Sequence, residues 1–427
     1  MNISQIYDFF EKEPIVSTDS RATSNGGLFF ALKGESFNGN SFAKTALDNG
    51  ASFAIIDEPE YKLDDRYIVV DDVLKTLQTL AHHHRQTLTI PIIGITGTNG
   101  KTTTKELLNA VLSKKYKTIC TKGNLNNHIG VPLTLLSIQK DTEIAIIEMG
   151  ANHPFEIAEL CTIANPNYGI ISSIGKAHLE GFGSFENIIK TKKELYDHIG
   201  NHNGRVFVNY NDQLLQSISS GLDCVYYGTD DTVFCKGEYL TSTPYVTFAL
   251  YENDTKTIIN SQMIGSYNTN NMLAAACVGK AFGITVTQIK EAIEQYVPDN
   301  NRSQLKKTQY NTLLLDAYNA NPSSMEASIT NFNELEAVHK VVILGEMLEL
   351  GDVADSEHAK LYNQVCSFGF EQVFLVGTWN ATLSINTTIF ENTQALIVYL
   401  KNNKLQGKTI LIKGSRGNKL ETVVEYL

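Results

Sequence analysis

Short apolar runs separated by polar turns fill the first 88 residues of the chain. The runs are LFFAL at 28–32, FAII at 53–56 and YIVV at 67–70. They are followed by LKTLQTLAHHHRQTL at 74–88, where apolar residues recur at helical spacing, and Pro91 then restarts the chain as a strand. The pattern predicts a small N-terminal α/β domain over residues 1–88.

Continuous apolar runs alternate with amphipathic stretches between residues 89 and 299. PIIGIT at 91–96, IAIIEM at 144–149 and YGIISSI at 168–174 are typical of strands buried on both faces. Such strands, separated by helices, predict a central parallel sheet with helices on both sides. Ligands bind at the carboxyl ends of the strands in sheets of this kind.

The segment YVPDNNR at 296–302 interrupts this alternation with proline and asparagine. Beyond it, TLLLDAY, VVILGEM, QVFLVG and KTILIKGS are four further strand candidates. They predict a third, Rossmann-like domain over residues 300–427. The predicted fold class is therefore α/β with three domains.

Composition and charge exclude several classes of protein. Hydrophobic residues make up 42% of the chain and charged residues 19%, and no apolar run approaches the roughly 20 residues that span a bilayer. The N-terminus lacks a basic leader with an apolar stretch, so we expect a cytoplasmic protein without membrane insertion. The net charge of −11 disfavours a nucleic-acid surface.

Cysteine and histidine patterns do not predict a zinc site. The six cysteines are scattered without a Cys-x-x-Cys pair, so we expect free thiols. His82, His83 and His84 are adjacent, but neighbouring helical residues point in different directions, and a solvated helix surface is the favoured interpretation.

The segment GITGTNGKTTTKELLNAVL at 94–112 has the pattern of a phosphate-binding loop: a strand, a glycine-rich turn and then a helix. Glycines allow backbone N–H groups to approach phosphate oxygens at the helix N-terminus. Lys101 adds positive charge from a side chain expected to be exposed, and Thr102 offers a hydroxyl to Mg²⁺. The common P-loop has a further glycine where this chain has Ile95. By itself the loop predicts only a nucleotide phosphate site. It fits ATP and makes the central domain, residues 89–299, a predicted ATP-binding domain of the P-loop type.

At this point the chain resembles the Mur ligases over nearly its whole length. The resemblance is carried, in family order, by TGTNGKTTTKE, GNLNNHIGVPLTLL, EMGANHPFEI, GKAHLEGFGS, IKTKKELY, NTNNMLAAA, LLDAYNANPSSMEASI, LGEMLELG and KGSR. LDAYNANPSSM, LGEMLELG and KGSR are similar to the members that add D-alanyl-D-alanine, and DSRATSNGGLFFALKGESFNG looks like their UDP-binding segment. Tyr267 and Asn40 depart from histidines that are frequent at these positions.

The resemblance implies that ATP activates a carboxylate as an acyl phosphate, which an amine then attacks, with two Mg²⁺ ions as cofactors. The implied substrates are UDP-N-acetylmuramoyl-tripeptide and D-alanyl-D-alanine. The enzyme is expected to be a monomer. The implied nucleotide-binding residues are Gly97, Thr98, Asn99, Gly100, Lys101, Thr102, Thr103, Asn271, Arg302, Asp316 and Asn319. Tyr318 and Asn321 are expected to border the adenine.

The resemblance also assigns roles in catalysis, metal binding and substrate binding. The implied catalytic residues are Lys101, His178, Lys192, Asn268 and Arg302, and the implied metal ligands are Thr102, Glu148, His178 and Lys192. The implied substrate-binding residues are Ser20, Arg21, Asn126, Asn127, Lys413, Ser415 and Arg416. Purely structural roles remain open: a salt bridge for Glu148, a helix cap for Asn268 and Asn271, and polar loop ends in the third domain.

Lys192 lies on the apolar face of a predicted helix. Phe185, Ile188, Leu195 and Ile199 keep a regular inward spacing only if position 192 is included, whereas Lys190 and Lys193 point away. A buried amine tends to lose its proton, and the neutral amine reacts with CO₂. The resemblance implies that Lys192 is carbamylated and binds the second Mg²⁺. The alternative is a lysine whose charged end reaches solvent.

Two other functions remain as alternatives. A folylpolyglutamate-type ligase has a similar short phosphate loop, but its members usually carry Gly-Lys-Gly-Ser where this chain has Gly-Lys-Thr-Thr. A nucleotide-dependent switch would hydrolyse ATP without a third domain that carries Arg302 and Asp316 towards the phosphates.

Overall fold

The computed structural model describes residues 2–22, 26–253, 255–299, 302–380 and 386–427. It has three α/β units in chain order, each built around its own sheet. The predicted α/β fold with three domains is confirmed. Among the described residues, no helix combines the length and apolar character needed to cross a bilayer.

The N-terminal unit has a parallel sheet in the order β1-β2-β5-β6, beside a short β3-β4 hairpin. Its first helix begins with a capping box, in which the Asn2 side chain and the Gln5 side chain each accept from the other's backbone N–H. The strands are β1 (Val16–Ser17), β2 (Leu28–Phe30), β3 (Lys33–Gly34), β4 (Phe37–Asn38), β5 (Phe53–Ile56) and β6 (Tyr67–Val69), and the helices are α1 (Ile3–Lys12), α2 (Ala43–Asp48) and α3 (Val73–Thr87).

Helix α3 joins the first unit to the second. It packs on two helices of the central unit, and their apolar side chains share one core. Arg85 donates from Nε to the carbonyl of Ala164 at 3.1 Å and from Nη1 to the carbonyl of Leu88 at 2.8 Å. The interpretation of the three histidines as a solvated surface is wrong for His84, which is buried against Tyr7 and Phe10, whereas His82 and His83 are partly exposed.

In the part of the central unit that the structure describes, the sheet order is β15-β14-β13-β12-β11-β10-β7-β9-β8. The strands are β7 (Ile92–Thr96), β8 (Thr118–Cys120), β9 (Ile144–Glu148), β10 (Tyr168–Ile171), β11 (Arg205–Asn209), β12 (Asp223–Gly228), β13 (Cys235–Ser242), β14 (Val246–Glu252) and β15 (Thr255–Asn260). The helices are α4 (Lys101–Leu112), α5 (Gly130–Leu136), α6 (Glu156–Ala164), α7 (Leu179–Phe182), α8 (Phe185–Asn201), α9 (Gln213–Ile218), α10 (Asn268–Ala281) and α11 (Val286–Gln295).

The predicted all-parallel alternation is wrong for the end of this unit. Strands β13, β14 and β15 follow one another without intervening helices, and β14 runs antiparallel to both of its neighbours. These strands are partly exposed, so their sequences do not form the continuous apolar runs of strands buried on both faces.

The third unit has a sheet in the order β16-β17-β21-β18-β19-β20, parallel except for the edge strand β16. The four predicted strands are β17, β18, β19 and β21; β16 and β20 are short edge strands that the apolar pattern missed. The elements are β16 (Gln304–Lys307), β17 (Thr312–Leu315), α12 (Pro322–Glu334), β18 (Lys340–Gly345), α13 (Ala354–Ser367), β19 (Gln372–Val376), β20 (Thr387–Phe390), α14 (Thr393–Asn402) and β21 (Thr409–Lys413).

Polar contacts hold the third unit against the loops at the carboxyl ends of the central strands. Asn321 donates from Nδ2 to Oδ1 of Asn99 at 2.8 Å, and Lys176 pairs with Glu357 at 2.8 Å. The six cysteines are free thiols, as predicted.

Candidate active site

The phosphate loop lies between β7 and α4, where the sequence predicted it. Gly97 has φ of 144° and Gly100 has φ of 82°, conformations that side chains rarely adopt. Side chains there would also collide: a Cβ on Gly97 would lie 2.2 Å from Oγ of Ser172, and one on Gly100 would lie 2.5 Å from Oδ1 of Asn271. Both positions therefore require glycine.

The loop is fixed by the segment that follows β10. Thr98 donates its backbone N–H to the carbonyl of Ser173 at 2.8 Å, and Asn99 donates its N–H to Oγ of Ser173 at 3.1 Å. Helix α4 starts at Lys101, and the first N–H groups of a helix have no intrahelical partner. The N-terminal end of α4 thus faces the cavity with donors suited to phosphate oxygens.

Lys101 is not the exposed side chain that the sequence predicted. Its Nζ atom donates to the carbonyls of Gly97 at 2.7 Å and Thr98 at 3.1 Å. Burial lowers the pKa of Lys101 to about 8, an effect that the charge of Glu148 opposes. The ammonium is therefore folded back on its own loop, beside the space that phosphates would fill.

Glu148 ends β9 beneath the phosphate loop. Its Oε1 atom accepts from Oγ1 of Thr102 at 3.1 Å and from Nδ2 of Asn126 at 2.7 Å. Its Oε2 atom is buried and has no hydrogen-bond partner. A buried carboxylate oxygen without a partner is costly, and a divalent cation beside it would remove that cost. Thr102 and Glu148 thus fit the predicted Mg²⁺ site.

The sequence reasoning missed Lys105, which is fully buried beside this carboxylate. Its Nζ atom donates to the carbonyl of Thr121 at 2.6 Å and lies 3.9 Å from Oε2 of Glu148. Thr121 in turn accepts the backbone N–H of Glu148 at its Oγ1 atom, at 2.9 Å. Helical spacing in the sequence could have identified Lys105 as buried, because it lies three residues before Leu108 on the buried face of α4.

His178 lies between β10 and α7, and its imidazole contacts the third unit. Nδ1 of His178 donates to Oε2 of Glu349, a residue that the sequence reasoning did not select. Burial lowers the pKa of His178, while Glu349 opposes this effect and Lys101 adds to it. His178 therefore lies at the carboxyl ends of the central strands, as predicted. Its partner is a carboxylate from the third unit.

Lys192 faces inward from α8, as its spacing predicted. Ile188, Leu195 and Ile199 are buried with it, but Phe185 is 39% exposed and does not belong to this face. Nζ of Lys192 lies 3.4 Å from the carbonyl of Ala151 and 5.4 Å from the ring centroid of Phe182. The alternative in which its charged end reaches solvent is wrong.

Burial lowers the pKa of Lys192 to about 7 from the value of 10.5 for a free lysine; Lys101 adds to this effect, and Glu156 and Glu194 oppose it. Between about pH 7 and pH 10.5, Lys192 carries a proton in the unfolded chain but not in the folded chain. The free energy of unfolding therefore falls as the pH falls towards 7.

Lys192→Met removes this pH dependence of stability. Thermal unfolding in CO₂-free buffer should show the variant gaining stability relative to the parent protein between about pH 10 and pH 7.

The matched control for this titration is Lys193→Met, because Lys193 is partly exposed and pairs with Asp197. Its unfolding temperature should follow the parent protein across the same pH range. If the unfolding temperatures of Lys192→Met and the parent protein change in parallel with pH, the lowered pKa of Lys192 is contradicted.

Asn268 and Asn271 start α10, as predicted, but neither caps it. The N-cap residue is Tyr267, which makes no side-chain cap bond. Nδ2 of Asn271 donates to Oδ1 of Asn268 at 2.8 Å, and Oγ1 of Thr104 donates to Oδ1 of Asn271 at 3.2 Å. This chain of amides links α10 to the helix that carries the phosphate loop.

Arg302 and Tyr318 bring the third unit to the cavity that the phosphate loop lines. The Arg302 guanidinium lies 3.7 Å from the ring centroid of Tyr318, and Arg416 lies 5.6 Å from the same ring. Nε of Arg302 is buried without a hydrogen-bond partner. An arginine fixed by stacking is suited to meet a phosphate group.

The buried Lys413 pairs with Asp316, which is partly buried. Nζ of Lys413 donates to Oδ2 of Asp316 at 2.6 Å and lies 3.4 Å from the carbonyl of Asn319. Oγ of Ser415 accepts the backbone N–H of Leu348 at 3.0 Å. Lys413 and Ser415 are thus engaged within the third unit, whereas Arg416 is exposed.

These residues surround one cavity of about 740 Å³ between the central and third units. The predicted residues that line it are Thr98, Asn99, Gly100, Lys101, Thr102, Thr103, Asn126, Asn127, Glu148, His178, Asn268, Asn271, Arg302, Asp316, Tyr318, Asn319, Asn321, Lys413 and Arg416. Of the described residues selected from the sequence, Ser20, Arg21, Gly97, Lys192 and Ser415 are outside this lining. Lys192 is directly behind the wall, through its contact with Ala151.

The described residues that line the cavity include no preformed cluster of metal-binding side chains. Within the described ranges, no three His, Cys, Asp or Glu side chains are grouped so that they could hold a metal ion. Mg²⁺ does not require such a group, because it is commonly held by one or two carboxylates together with substrate phosphates.

Comparison with known proteins agrees with this geometry. Family models match residues 14–85 (Mur ligase family, catalytic domain), 95–279 (Mur ligase middle domain) and 301–416 (Mur ligase, glutamate ligase domain). The chain is 33% identical over 425 residues to UDP-N-acetylmuramoyl-tripeptide--D-alanyl-D-alanine ligase of Bacillus subtilis, covering 96% of this chain and 92% of that protein.

Two solved structures share the whole architecture. MurF of Acinetobacter baumannii has a TM-score of 0.87 and 28% identity, covering 99% of this chain and 97% of that chain. MurF ligase of Thermotoga maritima in complex with ADP has a TM-score of 0.84 and 26% identity, covering 96% of each chain. The fold, the cavity and these similarities define an ATP-dependent ligase that forms amide bonds. The chain belongs to the Mur ligase family.

Proposed function

We propose that this ligase joins D-alanyl-D-alanine to UDP-N-acetylmuramoyl-tripeptide in the synthesis of peptidoglycan precursors. The observation that carries the proposal is the single cavity in which the phosphate loop faces Arg302 and Tyr318 of the third domain. The choice of substrates is supported by the Bacillus subtilis relative, a UDP-N-acetylmuramoyl-tripeptide--D-alanyl-D-alanine ligase that is similar over 96% of this chain.

ATP would lie with its phosphates on the N-terminal end of α4. The backbone N–H groups of the loop and the ammonium of Lys101 stabilise the negative charge, and Arg302 approaches from the opposite side. Mg²⁺, held by Thr102 and Glu148 together with phosphate oxygens, would supply further charge neutralisation. Asp316, Asn319 and Asn321 would border the nucleoside.

The reaction follows from the weak electrophilicity of a carboxylate. The terminal carboxylate of the tripeptide attacks the γ-phosphorus, the bond to the β-phosphate oxygen breaks, and ADP leaves. The free amine of the dipeptide then attacks the carbonyl carbon of the acyl phosphate; it loses a proton, and inorganic phosphate departs. Because the lining comes from two domains, domain closure keeps water away from the acyl phosphate.

We propose that His178 and carbamylated Lys192 would hold a second Mg²⁺, which would neutralise charge on the transferred phosphoryl group. The depressed pKa of Lys192, about 7, supports the neutral amine that carbamylation requires. The Nζ atom is behind Ala151, so a carbamate added to it would extend the side chain towards the cavity wall.

The proposed substrate-binding residues come from all three domains. Asn126 and Asn127 line the cavity and fit the muramoyl-peptide side. Ser20 and Arg21 belong to the N-terminal domain and would contact the uridine diphosphate. Arg416 is the preferred partner for a substrate carboxylate, since Lys413 is paired with Asp316 and Ser415 accepts a backbone N–H.

Three organisational features are also proposed: domain boundaries at 88/89 and 299/300, a monomeric enzyme, and a cytoplasmic location. The first boundary is supported by Pro91, which directly precedes β7, and the second by the change of sheet after α11.

Acceptor choice tests the proposed function. ADP release should require both UDP-N-acetylmuramoyl-tripeptide and an amine, and D-alanyl-D-alanine should support at least about a hundredfold higher kcat/KM than D-alanine, D-glutamate or L-lysine. Sites that bind polar substrate groups reject analogues lacking them by such factors. A coupled assay of ADP formation measures each acceptor. Equal use of a single amino acid would place the enzyme in another branch of the family, and ADP release without any acceptor would indicate a hydrolytic switch.

A further inference from the structure

His178 and Glu349 meet across the boundary between two domains, and both have an unusual backbone. His178 has φ of 49° and Glu349 has φ of 62°. Left-handed conformations are uncommon for residues other than glycine, and they cluster at functional sites. The imidazole of His178 donates from Nδ1 to Oε2 of Glu349, and both side chains line the cavity.

The loop that carries Glu349 is held in place by its own domain. Met347 donates its backbone N–H to Nε2 of His358 at 2.8 Å, and Leu348 donates its N–H to Oγ of Ser415 at 3.0 Å. These two bonds fix the residues immediately before Glu349. The carboxylate is therefore presented to the central domain by a supported loop.

A second contact fixes the loop where it meets the central domain. The carbonyl of Glu349 accepts the backbone N–H of Glu180 at 3.3 Å, and Glu180 follows His178 by two residues. Glu349 thus contacts the segment 178–180 through both its side chain and its backbone.

We propose that Glu349 is a positioning residue that orients the imidazole of His178 when the third domain closes on the central domain. A carboxylate only accepts hydrogen bonds, so it fixes the proton on Nδ1 and leaves Nε2 for a ligand in the cavity. Carboxylate partners of this kind orient histidines that bind metals. The inference rests on the proposed function insofar as that ligand is the second Mg²⁺.

A simple latch between the domains is the competing explanation, and the chain offers a matched control for it. Glu357 also belongs to the third domain and pairs with Lys176, in the same central segment, at 2.8 Å. Glu349→Ala and Glu357→Ala each remove one carboxylate that joins the two domains. Only the first removes the partner of His178.

Steady-state kinetics distinguish the two explanations. Glu349→Ala should lower kcat by about 10- to 100-fold, the range found for residues that orient metal ligands, with little change in KM for ATP. Glu357→Ala should keep kcat within about threefold of the parent enzyme, as expected for an exposed ion pair. Glu349→Gln, which keeps an acceptor oxygen, should recover part of the activity. Equal losses in both alanine variants would overturn the proposal in favour of a latch.

A double-mutant cycle tests whether Glu349 acts through His178. In a His178→Ala background, Glu349→Ala should lower kcat by no more than about twofold, because residues that act as one unit are not additive. A full additional loss in the double variant would show that Glu349 acts independently and would overturn the proposal.

Imidazole ¹⁵N NMR gives a readout that does not depend on turnover. The resonances missing in His178→Ala assign His178, and its Nδ1–H tautomer should be present in the parent protein and in Glu357→Ala but lost in Glu349→Ala. An unchanged tautomer in Glu349→Ala would overturn the proposal. If the parent protein fails to release ADP with both substrates, the proposed function fails, while this spectrum still tests the pairing.

Discussion

Lys101→Ala is expected to lower kcat by at least about a hundredfold, the loss associated with removing one group that stabilises charge in the transition state. Lys101 is the cation at the start of α4, and its ammonium is bonded to the carbonyls of Gly97 and Thr98. In the presence of nucleotide, this ammonium is placed to turn from the loop carbonyls to the phosphates. Alanine leaves the phosphate charge to the backbone N–H groups and Arg302.

The effect should fall on activity and not on folding. Lys101 contributes two hydrogen bonds to its own loop, which alanine loses. Alanine also removes the cost of burying an ammonium, the same burial that lowers the pKa of Lys101 to about 8. Thermal unfolding of Lys101→Ala should therefore resemble that of the parent protein. Lys114→Ala, just beyond the other end of α4, is the control and should keep full activity.

The threshold for rejecting this assignment is clear. A Lys101→Ala enzyme that retains more than about a tenth of the parent kcat has lost less than about 1.4 kcal/mol of transition-state stabilisation. That result would mean that the loop does not hold the transferred phosphate.

Lys192→Ala is expected to be nearly inactive and to regain activity when short carboxylic acids are added. The proposed carbamate carries a negative charge at the end of the lysine side chain. Loss of a residue that only orients a metal ligand costs about 10- to 100-fold, so loss of the ligand itself should cost at least as much. Deleting the side chain leaves a space bordered by Ala151 and Phe182, which an acetate or formate ion is small enough to enter. The measurement is kcat with increasing concentrations of each acid.

Lys190→Ala and Lys193→Ala are the matched controls on the same helix. Lys190 is exposed, and Lys193 pairs with Asp197 at the surface, so both variants should remain active and should not respond to added acids. ¹³C NMR of the parent protein equilibrated with ¹³CO₂ should show a carbamate signal that Lys192→Ala lacks. Full activity of Lys192→Ala in CO₂-depleted buffer would refute the carbamylation.

Features that depend on neighbouring residues were predictable from the sequence. The phosphate loop is one, since its strand, glycines and helix start are consecutive, and glycine adopts the backbone found at positions 97 and 100 without strain. The inward position of Lys192 is another, because helical periodicity alone places it beside Ile188 and Leu195. The resemblance to a family added the chemical roles, which periodicity does not contain.

The antiparallel extension of the central sheet was not predictable in the same way. Strands β13–β15 are partly exposed and lie at the end of the sheet, so their alternating pattern does not distinguish them from polar loops. The edge strands β16 and β20 were missed for the same reason. A strand buried on both faces appears in the sequence as a continuous apolar run, which is the pattern that identifies it.

The sequence by itself determined the three α/β units, the phosphate loop and the face of α8 that carries Lys192, because each depends on local spacing. Only the tertiary structure decided which residues meet across domains. Glu349 is 171 residues from His178, and Asn321 is 222 residues from Asn99. No periodicity relates positions so far apart. Their contacts arise because the third domain packs on the carboxyl edge of the central sheet, which brings separate loops into one cavity.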